Sequence, residues 1–166
     1  MIGEFRGEHA FLSNMQPLRF PILTVQGTYA YSSEHAYQAA KFVDPVVHRL
    51  VAHVTALERR KGEKLDGIAS KNLAHELLDG DETLKHPGWG DQMKLAIMEE
   101  AVRRKFIANP DLRDMLFATG DELLVEGNTW GDRFWGVDPI GSEAGENHLG
   151  QVLMQVRATL REDVRL

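Results

Sequence analysis

The chain has 166 residues, the size of one domain with one continuous core, and its 43% hydrophobic content excludes a disordered chain. No apolar run approaches the roughly 18 residues that span a bilayer, and the N-terminus does not have the pattern of a signal peptide. A formal net charge of −6 argues against bulk binding of nucleic acid, and the lack of cysteine excludes disulfides and thiolate chemistry.

The first predicted elements are two short strands and a helix. Apolar positions alternate with polar or proline positions through residues 17–31, and the apolar ones are Leu18, Phe20 and Ile22. Residues 25–29 indicate a turn into the second strand. Ser32 or Ser33 is predicted to cap a helix that starts near Glu34.

Four helices are predicted next. Asp44 as N-cap and Pro45 at the first helical position begin one of them. The next starts near Ser70, places Leu73, Leu77 and Leu78 inward and ends at Gly80. The strongest helical periodicity of apolar residues covers 91–107, and Asn109-Pro110 ends that helix. A short helix follows, which carries Leu112, Met115 and Leu116 and ends at Gly120.

The last third of the chain predicts a strand, a loop and a helix. Residues 122–126 have a strand-like composition, and 127–147 form a long loop rich in Gly, Trp and Asp. Asn147 is predicted to cap the final helix. The whole pattern indicates an α+β fold, a single mostly helical domain over residues 1–166 with a few short strands. Since the sequence has no bilayer-spanning run, no signal-peptide pattern and no cysteine, we expect a cytoplasmic location.

One helix face carries a candidate pair of reactive groups. At about 100° per residue, Glu34, Gln38 and Lys41 share a face, with Glu34 and Lys41 roughly 10 Å apart along the axis. Both side chains are long enough to contact one small ligand. The spacing alone leaves open the alternative of a first-turn glutamate and a solvated lysine.

The loop is a second candidate. Residues 127–136 contain two of the three tryptophans, an aspartate and three glycines, a set suited to stacking on a ring and to binding ribose hydroxyls. A purely structural Trp-anchored loop stays open as an alternative. Residues 145–147 either offer backbone N–H groups to a phosphate or form an ordinary helix cap.

Other site types receive little support. Basic runs at 59–61 and 103–105 and Arg157 provide local positive charge for a phosphate, and 59–64 could form a rim for the end of a nucleic acid. The histidines are scattered without an HExxH pattern, so no metal site is expected. Gly-rich nucleotide loops and a Gly-x-Ser-x-Gly motif are absent from the sequence.

An ordered set of motifs resembles the NADAR family of YbiA-like N-glycosidases, from about residue 5 to 160. It includes Phe-Leu-Ser-Asn at 11–14, Ser-Glu-His-Ala-Tyr-Gln-Ala-Ala-Lys-Phe at 33–42, the segments 98–106 and 116–120, Leu-Val-Glu at 124–126, Trp-Gly at 135–136, and Gly-Glu-Asn-His-Leu-Gly-Gln at 145–151, continuing to Arg157. The resemblance implies a mostly helical α+β domain that hydrolyses N-glycosidic bonds without a cofactor.

The resemblance also implies substrates and site residues. The substrates are ribosylamino-pyrimidine phosphates of early riboflavin biosynthesis or ADP-ribose attached to guanine in nucleic acid. The family's functional positions correspond to Glu34, Lys41, Trp89, Asp132 and Trp135, and Ser13, Asn14 and Asn147 are expected to contact substrate.

The chemistry of N-glycoside cleavage suggests a role for each group. Lys41 is expected to attack C1 of the ribose, Glu34 to shuttle protons and Asp132 to hold ribose hydroxyls, with Trp89 and Trp135 as walls. The alternative is a non-catalytic module that binds NAD or ADP-ribose, which would need neither Glu34 nor Lys41. The oligomeric state is not predicted.

Overall fold

The computed structural model describes residues 1–55 and 66–165. The prediction of a mostly helical α+β fold with short strands is confirmed. The elements, in chain order, are β1 (Ile22–Leu23), β2 (Tyr29–Ala30), α1 (Ser33–Ala39), α2 (Pro45–His53), α3 (Asp66–Gly80), α4 (Asp91–Ala108), α5 (Pro110–Ala118) and α6 (His148–Arg165), with short 3-10 helices at Gly7–Leu12 and Glu82–Leu84.

The described residues form two compact units. One comprises residues 14–55 and 66–109, here called the central unit, and the other comprises 1–13 and 110–165, here called the terminal unit. The prediction of a single domain over 1–166 stays a prediction. None of the helices in the described part is long and apolar enough to span a bilayer.

Local signals set the helix starts of the central unit. The Ser32 side chain accepts a hydrogen bond from the His35 amide at the start of α1. Asp44 Oδ1 accepts from the amides of Val46 and Val47 at 2.9 and 3.0 Å, and Pro45 occupies the first turn of α2. Both predicted caps are confirmed.

The core of the central unit surrounds α1, every residue of which is buried. Helices α2, α3 and α4 all pack against it. The leucines of α3 that were predicted to face inward, Leu73, Leu77 and Leu78, pack against the core cluster. The buried members of this cluster are Ala39, Phe42, Val51, Ala52 and Ala74, and Val47 and Leu84 also pack against it. Helix α3 is already helical at Asp66, earlier than the predicted start near Ser70.

The predicted strands are shorter than the sequence alternation indicated. β1 and β2 pair antiparallel, with Ile22 opposite Ala30, and a turn at Gly27, whose φ is +73°, connects them. Leu18 and Ile22 are buried, but Phe20 is 48% exposed, so the alternation is wrong there. The reason is that the backbone of Phe20 bonds the Asn109 side chain through both its N–H and its C=O.

The terminal unit contains α5, α6 and the irregular segments between them. Gly120, with φ of +57°, follows α5 as predicted, and Leu112 and Leu116 are buried while Met115 is exposed. The predicted strand at 122–126 is wrong, because within the described residues this segment forms a single parallel bridge, between Leu124 and Ile2, and no extended strand. Residues 127–147 form the predicted long loop.

Candidate functional site

The position of α1 is fixed by a buried histidine. Ser32 Oγ lies 2.7 Å from His35 Nδ1, and His35 Nε2 lies 2.9 Å from the carbonyl oxygen of Val54. Burial lowers the pKa of His35, so the ring is neutral, with Nε2–H donating to Val54 and Nδ1 accepting from Ser32. This locks the helix that carries Glu34.

Glu34 is a buried carboxylate held on several sides. It is 6% exposed, its amide donates to the Asn14 carbonyl at 3.1 Å, and Gln38 Nε2 donates to its Oε1 at 2.7 Å. The prediction that Glu34 and Gln38 share a face is therefore confirmed. Gly67 of α3 packs closely here, since a Cβ at that position would lie 2.9 Å from Met15 Sδ and 3.4 Å from Glu34 Cβ.

Two polar atoms next to Glu34 have no hydrogen-bond partner within the described part of the chain. They are Gln38 Oε1 and Asn14 Oδ1, and both are buried. Asn14 donates through its Nδ2 to Met98 Sδ at 3.1 Å. Two buried acceptors without donors beside a carboxylate are a costly arrangement that a polar ligand or water would satisfy.

Lys41 does not lie on α1, contrary to the prediction from helical spacing. The helix ends at Ala39, with Ala40 as C-cap, and Lys41 follows in a turn where its amide donates to the Gln38 carbonyl. The turn forms because the chain leaves the helix to pair with residues 85–86: the Lys41 carbonyl accepts from the His86 amide at 2.6 Å.

Lys41 is a buried lysine whose amine forms no close ion pair with any described residue. The residue is 8% exposed, and its Nζ lies 5.4 Å from the centre of the Tyr37 ring. Across residues 1–55 and 66–165, no acceptor forms a hydrogen bond or close ion pair with this Nζ. Burial lowers the pKa of Lys41 to about 8, the Glu34 carboxylate opposes that shift, and Lys71, Lys85 and Lys94 add to it.

Lys41 opens into a cleft of about 760 Å³ in the central unit. The Trp89 and Tyr37 rings lie 5.5 Å apart on its wall, which places the predicted Trp89 beside Lys41. The sequence did not identify the other lining residues, which are Tyr37, His75, Leu78, Asp79, Glu82, Lys85 and Lys94. Of these, Tyr37 stands in the motif at 33–42 and Leu78 was predicted to face inward, whereas nothing in the sequence distinguishes the charged residues from solvated surface residues.

Asp132 and Trp135 lie in the terminal unit, in the predicted loop. Asp132 Oδ1 accepts from the amides of Phe134 and Trp135 at 3.1 and 2.9 Å, so this carboxylate shapes the loop. Trp135 packs edge-on against Phe134 with ring centres 4.9 Å apart. The sequence missed Asn128, a fully buried side chain that bonds four backbone groups of the same loop.

Glu126 is a further acidic group of the terminal unit that the sequence assigned no role. Its Oε2 is buried and has no hydrogen-bond partner within the described residues. Burial raises the pKa of Glu126 to about 7; Arg6 opposes the shift, and Asp132 and Glu4 add to it.

The start of α6 differs in two ways from what the sequence suggested. Asn147 directly precedes the helix, with φ of +52°, but its side chain bonds the Glu126 amide and the Leu124 carbonyl instead of capping the helix. The amides of residues 146–149 donate to carbonyls of residues 133–136, so those of Glu146 and Asn147 are not available to a phosphate.

Ser13 ends the 3-10 helix Gly7–Leu12, where its amide donates to the carbonyl of Ala10.

The predicted basic rim at 59–64 lies outside the described residues. Within the two described ranges, no group of three or more His, Asp or Glu side chains is arranged to hold a metal ion.

Comparison with known proteins gives consistent matches. The model of the NADAR domain family matches residues 3–161. An N-glycosidase of Nostoc punctiforme is 37% identical over 144 residues, covering 82% of this chain and 78% of that protein. The N-glycosidase YbiA of Escherichia coli is 31% identical over 138 residues, covering 83% of this chain and 75% of that protein.

Two further matches extend the comparison. A riboflavin biosynthesis protein of Vibrio vulnificus is 37% identical over 154 residues, which are 93% of this chain but only 36% of that protein. The NMR structure of the E. coli protein YbiA superposes with a TM-score of 0.72 at 27% identity, covering 99% of this chain and 89% of that one.

Proposed function

The chain belongs to the NADAR family, and we propose that it cleaves the N-glycosidic bond of a ribosyl phosphate or ADP-ribosyl adduct with Lys41 as nucleophile and Glu34 as acid and base. It is a hydrolase that acts on N-glycosyl compounds, as its relatives from Nostoc punctiforme and E. coli are. The substrate and the roles of the side chains are the proposed part.

The observation that carries the proposal is the state of Lys41. Its amine is buried in a cleft, has no acceptor in the described part of the chain and has its pKa lowered to about 8. A neutral amine is a nucleophile, whereas an ammonium ion is not, and desolvation of a lysine is a known way to activate it. Solvated surface lysines lack all of these features.

The first chemical step forms a bond between Lys41 Nζ and C1 of the ribose. The bond from C1 to the base nitrogen breaks, and its electron pair stays on the base. The Glu34 carboxylate accepts one proton from Nζ and passes it to the base nitrogen, so the carboxylate is regenerated and one proton is left on Nζ. Gln38, donating to Glu34 Oε1 at 2.7 Å, holds the carboxyl in place during both transfers.

The second step releases the sugar. The bond from C1 to the ring oxygen opens, the ring oxygen takes up the proton left on Nζ, and an imine forms between Nζ and C1. Water adds to C1 and the C1–Nζ bond breaks, which returns the amine and leaves the aldehyde form of the sugar. The sum is one substrate and one water giving free base and free sugar.

The remaining site residues have supporting roles in the proposal. Trp89 and Tyr37 form an aromatic wall beside Lys41, suited to stacking on a base or sugar. Asn14 contacts Glu34 through its carbonyl and has a buried acceptor for a substrate donor. Asp132 and Trp135, together with Ser13 and Asn147, stay predictions as substrate contacts.

The decisive experiment compares two substrates. The protein is incubated with the ribosylamino-pyrimidine phosphate and, separately, with guanine-ADP-ribosylated single-stranded DNA, and release of base is followed by mass spectrometry. We expect hydrolysis of at least one. Glu34→Gln should lower the rate by about 10²–10⁴-fold, the range of general acid–base catalysis.

The controls separate catalysis from binding. Glu162→Gln changes the same chemical group at an exposed position of α6 and should keep the wild-type rate. Wild-type rates in Glu34→Gln would remove the acid–base role. Binding of ADP-ribose without hydrolysis of either substrate would instead favour a non-catalytic module and contradict the proposal.

A further inference from the structure

The hairpin of β1 and β2 has one buried and one exposed face, and the exposed face is apolar. Ile22 lies opposite Ala30, and both are buried. Leu23 lies opposite Tyr29, and because successive side chains of a strand point to opposite faces, this pair is on the solvent side. Tyr31 follows at the same two-residue period and is also exposed. The outer face of the hairpin therefore presents aliphatic and aromatic side chains to solvent.

The start of α2 continues this apolar surface. The Gln26 side chain donates to the carbonyls of Phe42 and Val43 at 2.9 and 3.1 Å, which holds the hairpin turn beside the segment that leads into α2. Val46 and Leu50 are one helical turn apart and both are exposed, on a helix that packs against β2. The exposed apolar side chains of residues 22–31 and 43–50 are here called the hairpin–α2 surface.

The hairpin–α2 surface is large for an apolar surface in contact with water. Among the residues that the structure describes, fifteen large hydrophobic side chains are exposed, and seven of them belong to it, each between 43% and 73% exposed. Single exposed hydrophobic residues are ordinary, whereas apolar patches above a few hundred Å² mark binding sites. Seven half-exposed side chains, two of them tyrosines, present several hundred Å², comparable with the area of about 800 Å² that each partner contributes to a stable interface.

Charge is scarce on this surface. Residues 22–31 and 43–50 contain no Lys or Glu, and their only charged side chains are Asp44 and Arg49, although 27% of the chain is charged. Depletion of Lys and Glu together with enrichment of tyrosine is typical of protein–protein interfaces. One acid and one base leave no net charge, so the surface attracts neither a nucleic acid nor an anionic bilayer, both of which bind to clustered Lys and Arg.

We propose that the hairpin–α2 surface is the interface of a symmetric homodimer. Two-fold symmetry places the same surface on both sides of the contact, so each copy covers the exposed tyrosines and valines of the other. Two surfaces of this size approach the standard interface area of about 1,600 Å². The described lining of the Lys41 cleft includes no residue of this surface, so the dimer stands or fails apart from the proposed hydrolysis.

Sedimentation equilibrium between about 1 and about 100 μM tests the dimer, because interfaces of this area have Kd values from micromolar downward. The chain has a mass of 18.7 kDa, and we expect the average mass to approach twice that value at the upper concentration. Val46→Asp should raise the dimer Kd at least about tenfold, because it places a carboxylate in an apolar contact. An acid in the first turn of α2 favours the helix, so this variant should fold.

Two further variants make the result specific. Val164→Asp is the matched control, since it is the same substitution at a valine of α6 that is 65% exposed, as against 73% for Val46, and its Kd should stay within about twofold of wild type. Leu50→Gln keeps a high helix propensity and introduces no charge, and it should also weaken the dimer. Equal weakening by Val46→Asp and Val164→Asp would overturn the interface.

Salt and NMR distinguish this contact from other contacts between copies. Because each chain has a formal charge of −6, added salt should tighten an apolar dimer, and weakening by salt would overturn it. The amide signals of residues 22–31 and 43–50 should shift between dilute and concentrated samples, and shifts confined to other segments would contradict the proposal. A wild type that is monomeric throughout, whether or not it binds vesicles of equal parts phosphatidylcholine and phosphatidylserine, would overturn the dimer, and vesicle binding would assign the surface to a membrane.

Discussion

The pH dependence of hydrolysis can be assigned to position 41 by chemical replacement of its amine. The chain has no cysteine, so Lys41→Cys introduces a single thiol, which bromoethylamine converts to S-aminoethylcysteine. This side chain has the length of lysine but an intrinsically less basic amine. The replacement changes a single side chain, and Lys41 lines the cleft through which the reagent reaches the position.

The magnitude follows from the lowered pKa of Lys41. At a pKa of about 8, roughly a tenth of the amine is neutral at pH 7, whereas at the ordinary value of 10.5 only about 0.03% would be. The cleft thus increases the reactive fraction about 300-fold. The rate should rise about tenfold per pH unit below pH 8 and level off above it.

The assay is kcat/KM for release of base between about pH 6 and about pH 10. We expect no activity in unmodified Lys41→Cys, recovery after aminoethylation, and a recovered profile displaced to lower pH than wild type. The same treatment of wild-type protein, which has no thiol, is the control. Identical midpoints for lysine and aminoethylcysteine, or activity in the unmodified cysteine variant, would refute Lys41 as the titrating nucleophile.

Three substitutions test the packing and the buried charges by urea denaturation. Burial lowers the pKa of Lys105 to about 7, so the unfolded state binds more protons than the folded state between about pH 7 and 10.5, and the free energy of unfolding rises with pH in that range. Lys105→Met should remove this rise and increase the free energy of unfolding at pH 7 by up to about 4 kcal/mol. A wild-type free energy of unfolding that does not change with pH in this range would contradict the prediction. Because the pKa of Glu126 is raised to about 7, the stabilising contribution of its protonated side chain is fully present below about pH 4.5 and is lost as the pH rises through 7. Glu126→Gln should therefore be more stable than wild type at pH 8 and not at pH 4. Gly67→Ala places a methyl group 2.9 Å from Met15 Sδ and should lower the free energy of unfolding by about 1–3 kcal/mol. The control Gly80→Ala, with open space around the position, should not lower it. Equal effects of the two substitutions would mean that the close approach of α3 is not needed.

The sequence predicted most accurately the features that depend on neighbouring residues. The caps Ser32 and Asp44, Pro45 at the start of α2 and Gly120 after α5 were all recognisable, because a cap is a bond between residues two to three positions apart. The same reasoning failed at Asn147. A residue type that suits a cap bonds distant backbone groups there, and no local pattern distinguishes the two uses.

The candidate site was only partly predictable, because its chemistry depends on burial. Helical spacing placed Gln38 beside Glu34 but also placed Lys41 on α1, whereas pairing with residues 85–86 draws Lys41 out of the helix. Lys85 and Lys94 look like solvated lysines in the sequence. Only the packing of α1 against α3 and α4 brings them to one cleft and lowers the pKa of Lys41.

Covalent trapping tests the central claim most directly. The protein is mixed with substrate and sodium borohydride, which reduces an imine to a stable secondary amine, and the digested chain is examined by mass spectrometry. We expect a sugar adduct on the peptide that contains Lys41 in the wild type, and none on the other lysines or in Lys41→Arg. Full substrate turnover with no adduct at Lys41 would contradict the proposed mechanism.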